Sequence, residues 1–202
     1  MAVDTGRRRL RSEDRKRQII QVTLQIITEY GVKGTTVTRI ADATGIVHSG
    51  LYAHFSNREE ILLAALDAIF EGIFEMHRES AREDAIETLR EILRRHTTAL
   101  SPDVMSTFAL PLFQFIAASS DRVIGEALEK KQIEANREIA AIIDEAKRQG
   151  TVKESVDSEE TAWMLTACAW AEETAYLAGI KLFQQRGLAS RMADLVLGSM
   201  LK

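Results

Sequence analysis

The side chains in this sequence that could do chemistry are mostly cations, hydroxyls and imidazoles gathered towards one end. Arg7, Arg8, Arg9, Arg11, Arg15, Lys16 and Arg17 crowd the start, with no apolar pattern before Ile19. Such a run is a solvated arm, and beside a polyanion it adds phosphate contacts. Bond-making chemistry has much less to work with. The four histidines and the single Cys168 are scattered, with no ligand pair at i, i+4, so no metal site is expected. His96 and Cys168 are one pair among many. No glycine-rich phosphate loop, paired-carboxylate motif or nucleophile elbow occurs. The expectation is a protein that binds, with no cofactor and no catalytic centre.

The elements that must position these groups are helices. Only Pro102 and Pro111 interrupt 202 residues rich in Ala, Leu, Ile and Glu, a composition that favours an all-α fold. The length allows one or two domains. The net charge is −4, yet residues 1–58 hold ten Lys/Arg against five Asp/Glu, leaving the remainder at −9. The acidic total therefore does not exclude nucleic acid. One cysteine forbids an intrachain disulfide. The apolar runs are too short to span a membrane, and the charged start lacks the apolar stretch of a secretory signal. A cytoplasmic setting is expected.

Three parts are expected: a basic arm over 1–18, a helix-turn-helix over 19–58, and a helical domain over 59–202. Ser12 is read as the cap of the first helix, which carries Ile20, Leu24, Ile27 and Tyr30 and stops at Gly31 and Gly34. Thr35 or Thr36 caps a short second helix with Val37, Ile40 and Ala41, and Gly45 ends it in a tight turn. A third short helix holds Leu51, Tyr52 and Phe55. Asn57 and Glu60, at capping-box spacing, open a fourth. Two short helices around a glycine turn inside a basic segment have the form of a helix-turn-helix. Ile40, Ala41, Leu51 and Phe55 would hold its angle, with Ala41 small because the helices approach closely. The second of the pair offers its N-terminal side chains to the major groove.

These residues carry a resemblance. Ile19, Ile20, Gly31, Thr36, Ile40, Ala41, Gly45, Leu51, Tyr52, His54, Phe55, Glu59, Glu60 and Leu62 resemble the N-terminal domain of the TetR (tetracycline-repressor-like) family of bacterial transcriptional regulators. The run Leu-Tyr-x-His-Phe before a capped helix is its most specific part. The resemblance implies that Thr36 bonds a phosphate, that Tyr52 and His54 touch the DNA backbone, and that Arg58 stands where a Lys usually starts the fourth helix. Thr38, Arg39, Val47, His48 and Ser49 are the candidates for base edges or nearby phosphates. The family often has Ser, then Lys or Arg, Gly and Thr, where this chain has Val47, His48, Ser49 and Gly50. Val47 cannot cap, so Ser49 or water must serve the free N–H groups. Gly50 weakens the helix by about 1 kcal/mol relative to Ala, and His48 replaces a permanent cation.

The remaining sequence is similar to the family's second domain in helix number and order, which implies a homodimeric repressor on a palindromic operator, released by a small lipophilic effector. Met105, Phe108, Phe113 and Trp163 are the candidate cavity lining, with His77, His96, Glu172 and Glu173 as polar handles. A helix over about 159–183 is apolar on nearly all sides, which points to burial against a partner subunit. Its Ala167, Ala171, Ala175 and Gly179 form a small-residue ridge, with Trp170 and Leu177 on another side. Leu188, Met192 and Leu195 mark one face of the last helix. Two such helices from each subunit make a four-helix bundle. The alternative is an all-helical small-molecule binder or enzyme whose N-terminal hairpin is only structural.

Overall fold

The computed structural model describes the backbone of residues 3–98 and 109–202, and the side chains of 12–96 and 109–202. Among the described residues there is no strand, and one isolated antiparallel bridge joins Val152 to Leu201. The helices are α1 Val3–Gly34, α2 Val37–Thr44, α3 His48–Tyr52, α4 Arg58–Ser80, α5 Ala85–Thr98, α6 Leu110–Ala117, α7 Arg122–Arg148, α8 Ser158–Leu177, α9 Lys181–Gln185 and α10 Leu188–Met200. The fold is all-α, with the helix-turn-helix near its N-terminus.

The basic leader is continuous with α1 rather than preceding it, so Ser12 lies inside the helix and does not cap it. Pro111 falls in the first turn of α6, where its missing N–H costs nothing. Several other helix starts are capped by side chains. Thr36 Oγ1 accepts from Arg39 N at 3.2 Å, Asn57 Oδ1 from Glu60 N at 2.8 Å, Asp121 Oδ1 from Val123 N at 3.0 Å, and Asp157 Oδ1 from Glu160 N at 2.9 Å. Each such cap stabilises its helix by about 1 kcal/mol.

The chain forms two compact units, Met1–Ile69 with Ser106–Leu128, and Phe70–Met105 with Glu129–Lys202. Helix α4 contributes to both, so a boundary at residue 58 does not coincide with this division. The first unit is built on Ile19, Ile26, Ile40, Ala41, Leu51, Phe55 and Ile61, with α6 packed along α1. The second is built on Ile86, Leu89, Ile92, Ile139, Ile143, Leu165, Cys168, Leu197 and their neighbours. Cys168 is buried there, its Sγ donating to Met164 O at 3.3 Å.

Candidate nucleic-acid interface

The angle between α2 and α3 is set by packing. Ile40 and Leu51 are fully buried, and Ala41 and Phe55 nearly so. Each large apolar side chain buried this way contributes about 2 kcal/mol. Gly45 closes α2 in the left-handed region, φ 67°, and sends its N–H back to Asp42 O at 3.4 Å, while Ile46 N donates to Ala41 O at 3.1 Å. Residues with a Cβ rarely hold that conformation, which makes the turn short and reproducible. Gly50 has a reason that composition alone did not reveal. A Cβ there would lie 2.7 Å from Ile46 Cγ2, so the helix-weakening glycine is what lets α3 sit against the turn.

Packing leaves one set of side chains outside. Thr36, Thr38, Arg39, His48 and Ser49 are exposed, as are Val47 at 71% and Tyr52 at 49%. Val47 makes no side-chain cap for α3. An exposed valine and a half-exposed tyrosine thus stand outside the core at the two ends of this short helix.

Two candidate cations have tasks inside the protein. Arg58, the first residue of α4, donates from Nε to Thr35 O at 2.5 Å and from Nη2 to Val32 O. Arg39 donates from Nη1 to Gly34 O at 2.6 Å, and its guanidinium sits 4.3 Å from the centre of the Tyr30 ring. Both arginines serve carbonyls at or just past the C-terminal end of α1. The sequence contained no sign of this, because the partners of Arg58 are more than twenty residues away. His54 is half-buried, with its Nδ1 3.4 Å from Ser12 Oγ. Glu60 accepts the Ser56 backbone N–H, which holds its carboxyl below the usual range. That bond completes the N-terminal box of α4 beside Asn57.

Known proteins share this arrangement. The profile of the bacterial regulatory proteins of the tetR family matches residues 19–65. Over this segment the chain is similar to the tetR family. The transcriptional repressor KstR2 of Rhodococcus jostii is 38% identical over 60 residues, which are 28% of this chain and 29% of that repressor. The match thus spans less than a third of the relative. Likeness of fold extends further. A transcriptional regulator from Saccharomonospora viridis in complex with choline superposes with a TM-score of 0.77 at 18% identity, over 94% of this chain and 99% of that one. The regulator FadR of Bacillus subtilis, in complex with stearoyl-CoA, does so with a TM-score of 0.73 at 18% identity, over 89% and 96%.

Outside residues 19–65 the candidate residues scatter. Met105 and Phe108 lie outside the described residues. Phe113 is half-buried and belongs to the first unit. Trp163 is 38% exposed, its ring 6.1 Å from that of Trp170, so it lies on an outer face of α8 and lines no interior. His77 is buried, with Nδ1 2.8 Å from Glu138 Oε2. Burial, reinforced by the nearby His77, pushes His96 down to about 4, so it is neutral at pH 7. Glu172 is buried, which pushes its carboxyl up, an effect partly offset by the backbone of Ala189 at the start of α10. Glu173 has a buried Oε2 with no hydrogen-bond partner.

The continuous helix expected over 159–183 is two helices. Helix α8 ends at Leu177, and Gly179, at φ 69°, stands in the turn before α9. The small-residue ridge is not one surface either. Steps of four residues rotate by about 40° beyond a full turn, so Ala167 is exposed, Ala171 half-buried and Ala175 buried within its own unit. Trp170 is half-buried and Leu177 exposed on α8, while on α10 Leu188 is half-buried and Met192 and Leu195 are exposed.

Proposed function

We propose that the protein is a DNA-binding transcriptional repressor that acts as a homodimer on a palindromic operator and is released by a small apolar effector. The observation that carries this reading is the helix-turn-helix itself: a packed α2–α3 pair whose outward side chains are Thr36, Thr38, Arg39, Val47, His48, Ser49 and Tyr52. Thr36 and Tyr52 meet phosphates, together with His54 and Arg58. Val47, His48 and Ser49, at the start of α3, meet base edges in the major groove. Arg58 and Arg39 approach the backbone with part of their donors already committed to α1.

Two faces of apolar side chains support the dimer. Trp163, Ala167, Trp170 and Leu177 recur along α8, and Leu188, Met192 and Leu195 along α10, at three- and four-residue steps. A monomer rarely leaves so many large apolar groups on two packed helices, and a two-fold pairing makes a four-helix bundle. The second unit holds the effector, with the buried His77 and Glu172 and the half-buried His96 and Glu173 as its polar groups. That solved relatives of this fold carry choline and stearoyl-CoA supports a ligand-holding role for the unit. The protein acts by binding, not catalysis, and works in the cytoplasm.

A gel shift with the DNA upstream of its own gene tests the reading. The expected result is a specific complex that weakens steeply as salt rises. No preference over random DNA at low salt would sink it.

A further inference from the structure

Arginines in this protein are held in two ways. In the second unit they meet carboxylates, as Arg78 meets Glu71, Arg90 meets Glu87 and Arg148 meets Glu145, so their charges cancel locally. Arg39, exposed on α2, is held by neutral groups. Its Nη1 donates to Gly34 O at 2.6 Å, and its guanidinium lies 4.3 Å from the centre of the Tyr30 ring. Among the described residues no carboxylate is paired with it. A guanidinium fixed in this way loses mobility but keeps its whole charge for an anion outside.

The local sequence makes room for the stack. Tyr30 stands near the end of α1 and is 46% exposed, so it is not a core aromatic. Gly34 does not take a positive φ, so no left-handed turn calls for a glycine there. A Cβ on it would lie 2.8 Å from Tyr30 Cβ and 3.7 Å from Arg39 Nη1. The missing side chain lets ring and guanidinium meet across the α1–α2 connection. Glu29 beside the ring raises the phenol above its usual range, so the ring stays neutral. Resting on the reading of the first unit as a DNA-binding head, we infer that Tyr30 is a positioning residue of the nucleic-acid interface: its ring and the Gly34 carbonyl hold Arg39 beside the first turn of α2, where the remaining guanidinium donors pair with a DNA phosphate.

The tether also separates two tasks that a cation could have there. It runs back to the end of α1, at the end of α2 remote from the Gly45 turn and α3. Arg39 is thereby held away from the base edges that α3 would meet. A phosphate contact carries no sequence information, so Tyr30 strengthens binding to every duplex by the same factor.

The test uses the full-length protein and two labelled duplexes of equal length, the DNA upstream of its own gene and a random sequence, with binding followed by fluorescence anisotropy at low salt. Arg39→Ala is expected to weaken both complexes about tenfold and to lower the salt slope by about one. Tyr30→Leu is expected to weaken both about threefold, whereas Tyr30→Phe keeps the aromatic face and stays within about twofold of wild type. The double variant Tyr30→Leu, Arg39→Ala is expected to bind like Arg39→Ala alone, because the ring acts through the guanidinium. A further loss in the double variant equal to that of Tyr30→Leu alone overturns the inference. So does a Phe variant as weak as the Leu variant, or a Tyr30→Leu loss confined to one duplex. Thermal melts check folding. If Tyr30→Leu does not fold, Arg39→Lys gives a second reading at an exposed position. It keeps the charge but not the planar face, and is expected to lose about threefold; wild-type affinity there also overturns the inference. A wild-type protein that binds neither duplex refutes the DNA-binding reading and this inference with it, whereas wild-type binding with any failed comparison refutes the role of Tyr30 alone.

Discussion

Leu51 and Leu195 are the same side chain in opposite surroundings. Leu51 is fully buried between α2 and α3, and Leu195 is 76% exposed on α10. The polar groups of the two units differ in the reverse sense. In the first, the buried Thr23, Thr35 and Thr44 hydroxyls donate to Ile19 O, Gly31 O and Ile40 O. In the second, Asn136 Oδ1 and Glu173 Oε2 are buried without a partner. The buried hydroxyls of the first unit are paired within the protomer, whereas the second carries exposed apolar side chains on α8 and α10 and two buried oxygens without a partner, features that fit the proposed pairing with a second copy.

The largest effect should separate the two leucines. Leu51→Ala removes a fully buried side chain from a small core and is expected to cost about 3 kcal/mol in denaturant unfolding, with operator binding lost alongside. Leu195→Ala should move the stability of the protomer by less than about 0.5 kcal/mol. Leu195→Glu should leave the protomer folded but shift sedimentation towards the monomer. Equal costs for the two alanine variants would erase the contrast.

Arg58 sharpens the same comparison from inside the reading head. Arg58→Met keeps the stem and deletes the donors to Val32 O and Thr35 O, at an expected cost of about 2 kcal/mol for charge-assisted bonds to two carbonyls. Arg58→Lys restores the charge but not the two-pronged geometry. It should recover DNA affinity better than it recovers stability. Full recovery of stability by Lys would mean that the charge, and not the pair of bonds, holds the α1 end.

The second unit should show its unsatisfied groups through pH. Burial raises Glu173 from 4.5 to about 7, so the unfolded chain releases that proton first. Its contribution to stability therefore falls as pH rises between those two values and stays low above them. His96 runs the other way, lowered from 6.5 to about 4, so stability falls as pH drops through that interval because only the unfolded chain takes up the proton. Glu173→Gln removes the first of these slopes. It should be more stable than wild type at pH 8, by about 1–3 kcal/mol, and nearly equal to it at pH 4. Denaturant melts at the two pH values measure this, and a variant that gains nothing at pH 8 would place a hidden partner beside Glu173.

The same contrast explains what could be read in advance. The reading head is coded locally. Thr36 as a cap, Gly45 at φ 67°, the Asn57–Glu60 spacing and the Ile40–Leu51 packing all lie within short stretches of chain, and α2, α3 and the start of α4 appear where the pattern put them. What escaped was long-range. The bonds from Arg58 to the end of α1, the packing of α6 along α1 and the near-approach of Ser12 to His54 join residues far apart in sequence. Helix α8 was misread for a geometric reason. A four-residue repeat drifts around a helix of 3.6 residues per turn, so Ala167 and Ala175 share a spacing but not a face. Glu172 and Glu173 looked equivalent because only the fold decides that Glu172 is buried while Glu173 is half-buried with an unpartnered Oε2.

The smallest predicted effect bears on the outward face of the reading head, where no folding energy is at stake. Tyr52 and His48 are both exposed, so Tyr52→Phe and His48→Ala should both melt like wild type. Their DNA behaviour should differ in kind. A phosphate contact carries no sequence information, so deleting the Tyr52 hydroxyl should weaken every operator variant alike, by about 1 kcal/mol or roughly fivefold. A base-edge contact discriminates, so His48→Ala should narrow the gap between the best operator and its variants at one position in each half-site. A titration series against single-base operator variants measures both. If Tyr52→Phe changes the ranking of operators while His48→Ala leaves it intact, α3 enters the groove turned about its axis from the orientation argued above, and the roles of the two residues exchange.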